Sequence, residues 1–173
     1  MDIKEFLELS AGKWFSQRTI HDLSSGQLQA GKSNLIVDLL PENEPSVIQL
    51  CQQYQVNPGE AKMGLKLSWE GTVEGDPKNQ TGQSMLVPLI DESSPRAGQF
   101  LQKRAGSENS TFKGRYHFGE DEVLVLITET DTLNVEERLW YLMPNLRLRT
   151  SVVKHNNGLS QASFCSEIRM GVK

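Results

Sequence analysis

The sequence predicts an all-β protein, an antiparallel β-barrel of about nine or ten strands with two short α-helices. Alternating apolar and polar residues recur along most of the chain, turn residues interrupt them at short intervals, and only two stretches carry helical spacing. Antiparallel strands in this number commonly close on themselves because closure removes exposed edges, which favours a barrel over a sandwich. The 173 residues suffice for one domain with a sizeable core, so residues 1–173 are read as a single calyx able to enclose one small ligand.

Asp2 is placed to cap a helix and Glu5 to answer it three residues later. Ile3, Phe6 and Leu7 follow at helical spacing and Gly12 ends the run, so residues 2–10 read as an amphipathic helix. Over 14–23 the period falls to two, with Trp14, Ser16, Arg18 and Ile20 on one face and Phe15, Gln17, Thr19 and His21 on the other. Gly26 and Gly31 bracket a turn, and 33–40 form a second strand that Pro41 ends. Helical spacing returns over 45–54, where Val47, Ile48, Cys51 and Tyr54 share a stripe; this second helix is expected to serve as a lid or plug.

The clearest strand is 63–70, where Met63, Leu65, Leu67 and Trp69 alternate with Gly64, Lys66, Ser68 and Glu70. Extended runs follow at 83–89, 98–103, 111–118, 123–130, 136–142, 146–154 and 159–169. Asn157-Gly158 signals a tight hairpin with positive φ at both turn positions. Residues 72–80 and 104–110 read as polar loops, and no repeat or low-complexity tract competes with this organisation.

Composition removes several classes of function. A formal net charge of −4 without clustered Lys and Arg argues against nucleic acid or an anionic membrane as partner. The acidic start (Asp2, Glu5, Glu8) and the lack of a long apolar run predict a soluble, untargeted chain with no membrane insertion. Two scattered cysteines, Cys51 and Cys165, fit a reducing cytosol better than a disulfide framework. His21, His117 and His155 are dispersed without metal-ligand spacing, and no nucleophile elbow or P-loop is present, so neither a metal nor a tightly bound cofactor is expected. Cys51, on the apolar stripe of the second helix, reads as inert packing.

The segment EERLWYLMPNLRLRT at 136–150 concentrates charge, aromatics and a turn. Arg147 and Arg149 lie two apart in a strand, so their side chains leave one face with bases about 6.5–7 Å apart. Two guanidinium forks at that separation could grip two carboxylates of one ligand, or both could lie on a solvated outer face; spacing leaves these readings level. Arg18 reads first as a cation–π partner of Trp14 closing the barrel end. Trp69 and Trp140 could line a cavity for a flat conjugated ligand or could be core tryptophans. Gln161, Ser163, Cys165 and Glu167 make one face of the last strand polar, which calls for a ligand with N–H groups if it points inward and makes Glu167 a surface carboxylate if it does not.

The stretches KEFLELSAGKWFSQRT, LCQQYQVNP, LSWEGT, ERLWYLMPNLRLRTSVVK and ASFCSEIR together resemble the S-type phycobiliprotein chromophore lyases, the CpcS/CpeS family of cyanobacteria and algal plastids. The resemblance covers essentially the whole chain in order and spacing, and NLRLRTS with SFCSEIR is its most specific part. It implies a lipocalin-like or fatty-acid-binding-protein-like calyx that holds an open-chain tetrapyrrole, a phycobilin such as phycocyanobilin, without a covalent bond. The bilin is then the substrate, and its thioether attachment to a cysteine of an apo-phycobiliprotein subunit (phycocyanin, allophycocyanin or phycoerythrin) is the reaction. Under the resemblance Arg147 and Arg149 correspond to a propionate-binding pair, Arg18 to a functional arginine of the first strand, and Glu167 to a carboxylate near the pyrrole nitrogens. Trp69 and Trp140 become pocket aromatics, with Leu67 and Ser163 beside them. The chain has Gly75 where relatives often carry an aromatic residue.

The attacking thiol belongs to the acceptor, so such an enzyme needs no nucleophile and contributes orientation and exclusion of wrong adducts. The compartment implied is cyanobacterial cytosol or plastid stroma, and a homodimer or a related lyase subunit are possible partners. The competing reading is a non-catalytic bilin or fatty-acid carrier of lipocalin type, which the same arginines would serve. A third is an assembly factor that recognises the apo-phycobiliprotein through its surface.

Overall fold

The computed structural model describes residues 1–105 and 110–171, so the centre of the expected 104–110 loop lies outside the described residues. Helix α1 (Ile3–Ser10) precedes strands β1 (Gly12–Asp22) and β2 (Leu28–Pro41); helix α2 (Pro45–Gln53) and a 3-10 turn (Pro58–Glu60) follow. Eight strands complete the chain: β3 (Met63–Val73), β4 (Asp76–Leu89), β5 (Ala97–Ala105), β6 (Ser110–Phe118), β7 (Leu124–Glu129), β8 (Leu133–Met143), β9 (Leu146–His155) and β10 (Ser160–Arg169). Each pairs antiparallel with its neighbour in sequence, and β1 pairs with β10 over Trp14↔Arg169 to Asp22↔Gln161, so the sheet closes. Closure leaves no free edge in this sheet, and one face of every strand looks into the lumen.

Helix α1 forms where the capping signal puts it. The Asp2 carboxylate accepts from the Glu5 backbone N–H and the Glu5 carboxylate from that of Asp2, both at 2.9 Å. Its apolar face plugs one end of the barrel: Ile3, Phe6 and Leu7 pack against Met63, Phe100, Tyr116, Phe118 and Leu124. Burial of three such side chains contributes about 1.5–3 kcal/mol each, which gives an eight-residue helix the stability it lacks in isolation. At its C-terminus the Arg169 guanidinium donates to the Ala11 and Leu9 carbonyls (2.6 and 2.5 Å), satisfying groups that the last turn leaves open.

The second helix departs from the expectation of a lid or plug. Its stripe, Val47, Leu50 and Cys51, packs on Met85, Val87, Leu89 and Leu101, which point away from the lumen because Leu86 and Phe100 point into it. It therefore covers the outside of β3–β5, and the plug is α1. Gly64 permits this: a Cβ there would stand 3.0 Å from the Val47 side chain. Burial, and then the nearby Glu60 carboxylate, push the Cys51 thiol above its ordinary pKa, in keeping with a packing role.

Two turns also differ from expectation. Residues 72–80 are a hairpin arm rather than a loop, with Val73 opposite Asp76 and Gly75 at φ +84°. The arm escapes sequence pattern because it extends past the core, where neither face need be apolar. In the last hairpin Gly158 adopts positive φ (+87°) and Asn157 does not; the His155 N–H donates to the Leu159 carbonyl (2.8 Å), which makes it a three-residue connection.

Gly64→Val should drive α2 off the wall and cost about 1–3 kcal/mol despite the higher strand propensity of valine. Urea unfolding measures it; unchanged stability would show that α2 does not bear on this strand.

Candidate functional site

Strand register assigns the candidate residues to the two faces of the wall. Ser16 stands opposite Glu167, which stands opposite Arg147; one step toward the open end, Arg18 stands opposite Cys165, which stands opposite Arg149. Since Ser16, Arg147, Cys165 and Glu167 are buried, this face is the lumen. The alternatives of a solvated arginine pair and a surface Glu167 are thereby excluded, and the polar face of β10 points inward, with Ser163 one step above Cys165 and Gln161 at the exposed rim.

The deepest part of the site is an ion pair sealed from water. Glu167 is fully buried and the Arg147 side chain is 7 % exposed, with the Arg147 Nε–H donating to Glu167 Oε2 at 2.6 Å. Arg147 Nη1 also donates to Ser10 Oγ (2.9 Å), and its guanidinium lies 5.0 Å from the Trp14 ring centroid. Ser10 gives its one proton to the Phe6 carbonyl (2.8 Å), so at 2.9 Å the Tyr141 hydroxyl donates to it. Arg147 thus spends its Nε and one Nη1 donor on the protein and is the less exposed of the two arginines, so Arg147 and Arg149 are held differently.

Arg149 is the more open of the two, with its side chain 23 % exposed and Nη2 3.6 Å from both Glu167 Oε1 and Cys165 Sγ. Burial opposes its charge, but the Glu167, Cys165 and Glu137 side chains outweigh that and hold the guanidinium charged, above its ordinary value. Arg18 faces the same level of the lumen, two strands away and so about 10 Å distant at the backbone. It makes no ion pair within 4.0 Å among the described residues. Nor does it stack on Trp14, whose cationic partners are Arg169 (4.2 Å) and Arg147. Glu167 Oε1 is buried and accepts no hydrogen bond among the described residues.

Leu67 and Trp69 line the opposite wall, packed beside Leu35 and Val37, and Gly82 leaves the room that the Trp69 indole fills. Arg18, Ile20, Leu67, Trp69, Glu137, Arg149 and Ser163 all point inward yet remain partly exposed, so the lumen is open above the sealed pair. Trp140 is a correction. Leu139 stands opposite Arg149 and Tyr141 opposite Arg147, so both point inward, and Trp140 between them lies on the outer wall opposite Leu148. Tyr141 takes the inner place and packs between Phe6 and Trp14, at ring-centroid distances of 5.2 and 6.2 Å. Sequence reasoning also missed Ser10 and Glu137; Glu137 alternates with the outward pair Glu136 and Arg138, a signal that was available.

Glu167→Ala should cost about 3–5 kcal/mol, because it leaves Arg147 charged and unpaired in a dry site. Arg147→Met with Glu167→Gln should lose less than the two single losses added together. Urea unfolding of the four proteins closes that cycle, and strict additivity would show that the pair is not coupled.

Comparison with known proteins agrees with this geometry. The sequence profile of the CpeS-like protein family matches residues 2–170. Chromophore lyase CpcS/CpeS of Thermosynechococcus vestitus is 49 % identical over 172 residues, spanning 99 % of this chain and 94 % of its own. Chromophore lyase CpcS/CpeS 1 of Trichodesmium erythraeum is 51 % identical over 98 % of both chains. The phycocyanobilin lyase subunit CpcS of Picosynechococcus is 36 % identical over 98 % of this chain and 86 % of its own. The solved S-type phycobiliprotein lyase CPES of Guillardia theta superposes with a TM-score of 0.87 at 30 % identity, covering 100 % of this chain and 95 % of that one. The family profile over residues 2–170, two relatives about half identical along nearly the whole chain and the superposing solved lyase together place this chain in the CpeS-like family of S-type chromophore lyases.

Proposed function

We propose that this chain binds a phycobilin non-covalently in its lumen and promotes thioether attachment of that bilin to a cysteine of an apo-phycobiliprotein subunit. The observation that carries the reading is the layered lumen: Arg18 and Arg149 stand reachable at one level, directly above a buried carboxylate whose Oε1 is ion-paired to Arg149 at 3.6 Å but accepts no hydrogen bond among the described residues. An open-chain tetrapyrrole has two propionates and a run of pyrrole N–H groups. Two arginines whose backbones stand about 10 Å apart on one face suit the propionates, and Glu167 Oε1 suits the N–H groups. Phycocyanobilin is the preferred probe, since one relative is a phycocyanobilin lyase subunit.

The attachment step adds the acceptor's thiol across the exocyclic ethylidene double bond. Carbon and sulfur join, and the thiol proton ends on the chromophore. This chain supplies orientation: Arg149 and Arg18 hold the propionates, Arg147 holds Glu167 in place, and Glu167 accepts from the pyrrole nitrogens and favours their protonated, more electrophilic form. The helix plug leaves the hairpin end of the barrel as the route for the acceptor's cysteine.

Mixing the protein with phycocyanobilin and apo-phycobiliprotein subunits should shift the visible absorbance and give covalent bilin on a denaturing gel faster than the spontaneous reaction. A shift without faster attachment would leave a carrier, and no shift would remove the reading. Arg149→Leu and Arg18→Leu should each weaken bilin binding about 10- to 100-fold. Glu167→Gln should keep binding and lose transfer. Trp69→Ala should alter the bound spectrum and Trp140→Ala should not, and the reverse result would invert the assignment of the wall. Because the Arg149 charge is held above its ordinary pKa, its contribution to binding should persist undiminished from pH 6 to about pH 10.

A further inference from the structure

The inner wall across the lumen from Arg18 and Arg149 carries a cation and an aromatic ring that the propionate and pyrrole contacts do not use. β5 stands four strands from β1 in one direction and six in the other, on the far side of the ring of ten. Phe100 points inward, so two-residue alternation along β5 turns Gln102 and Arg104 inward as well. On β6 Tyr116 faces the lumen, Gly114 stands opposite Phe100, and Phe112 shares their face. Arg104 is the penultimate residue of β5 and Phe112 the third of β6, so both stand at the hairpin end of the barrel. The Arg104 guanidinium lies 5.7 Å from the Phe112 ring centroid. It makes no ion pair within 4.0 Å among the described residues. Arg104 stands opposite Ser84, and the next inward position of β4, Gly82, lies under the Trp69 indole, whose atoms would come within 2.4 Å of a Cβ there. Trp69, Arg104 and Phe112 therefore follow one another along a single shelf that runs from β3 to β6.

We propose that this shelf is the subsite for an outer ring of the bilin, with Phe112 against the face of the ring and Arg104 donating to its lactam carbonyl. The proposal rests on the reading of the lumen as a bilin site. An open-chain tetrapyrrole carries its two propionates on the middle rings and a lactam carbonyl on each outer ring. With the propionates held from β1 and β9, an outer ring extends across the lumen toward the opposite wall, where Arg104 and Phe112 stand. A guanidinium resting over an aromatic face is fixed by its charge and keeps its N–H donors for an acceptor. A flat conjugated ring laid beside it gains contact with the aromatic faces of Phe112 and Trp69 as well. The position of Arg104 also keeps the empty site inexpensive to hold: it is exposed at the mouth, so its charge stays hydrated until a ligand covers it. The shelf thus adds recognition of the conjugated ring system itself, which two arginines that bind carboxylates do not supply.

Titration of the full chain with phycocyanobilin and with its dimethyl ester, followed by visible absorbance, tests the assignment. Arg104→Leu and Phe112→Ala should each weaken phycocyanobilin binding about tenfold while the far-UV spectrum and Tm stay as in the wild type. Phe112→Tyr, which keeps the ring, should bind as the wild type does. The ester has no carboxylates, so with it Arg149→Leu should cost nothing further, whereas Arg104→Leu should still cost about tenfold. A loss in Arg104→Leu that disappears with the ester would make Arg104 a propionate ligand and overturn the lactam assignment. Wild-type affinity in both Arg104→Leu and Phe112→Ala, beside weakened binding in Arg149→Leu, would overturn the shelf and leave the bilin reading standing. A wild type that binds no phycocyanobilin would remove both.

Discussion

A carboxylate and a guanidinium sealed from water inside a small barrel form a demanding arrangement, because each charge sheds its hydration and only close, well-satisfied geometry offsets that loss. In this chain Glu167 and Arg147 meet the demand through parts drawn from four elements. β10 and β9 bring the two side chains to the same level, α1 adds the Ser10 hydroxyl, and β8 adds the Tyr141 hydroxyl that completes it. The pair fixes how the plug sits on the barrel and how deep a ligand can descend. It also holds the Glu167 carboxylate with one oxygen bonded to Arg147 and the other, free of hydrogen bonds among the described residues, 3.6 Å from Arg149.

What stands above the pair follows from that constraint. Arg149 shares Glu167 with Arg147 but at 3.6 Å rather than 2.6 Å, so it is electrostatically tethered without being consumed. Its charge is maintained by surrounding acceptors while its donors remain available to a ligand. Arg18, across Cys165, supplies the second cation at the same level. The sealed pair provides rigidity and the open pair provides recognition, and the one-residue alternation of a strand separates the wall that binds from the wall that packs.

The same alternation gives the outer surface its character. β3–β5 turn an apolar face outward and α2 covers it. β8–β10 with β1 do likewise, and no element of the described chain covers them. One apolar outer face is thus covered by the chain's own helix, and the other stays exposed.

Much of this was legible in the sequence. Alternation located ten strands, although it began β2 five residues late and β4 seven residues late; the Asp2 and Glu5 pattern located α1 and its cap, and two-residue spacing put Arg147 with Arg149 and Cys165 with Glu167 on shared faces. Those features are local, set by the period of a strand or a turn of helix. Family resemblance added the chemistry that spacing could not. Facing across a turn is different in kind: the irregularity between Tyr141 and Met143 shifts the register of the β8–β9 hairpin, so no counting from Arg147 back through Pro144 reveals that Tyr141 points inward and Trp140 outward. Likewise the stripe on α2 showed that the helix packs but not on which side of the wall. By itself the sequence determined the elements, the barrel class and the inventory of charged and aromatic side chains. Tertiary closure decided which arginine is neutralised and which remains available, because that depends on distances between strands whose contact residues lie far apart along the chain.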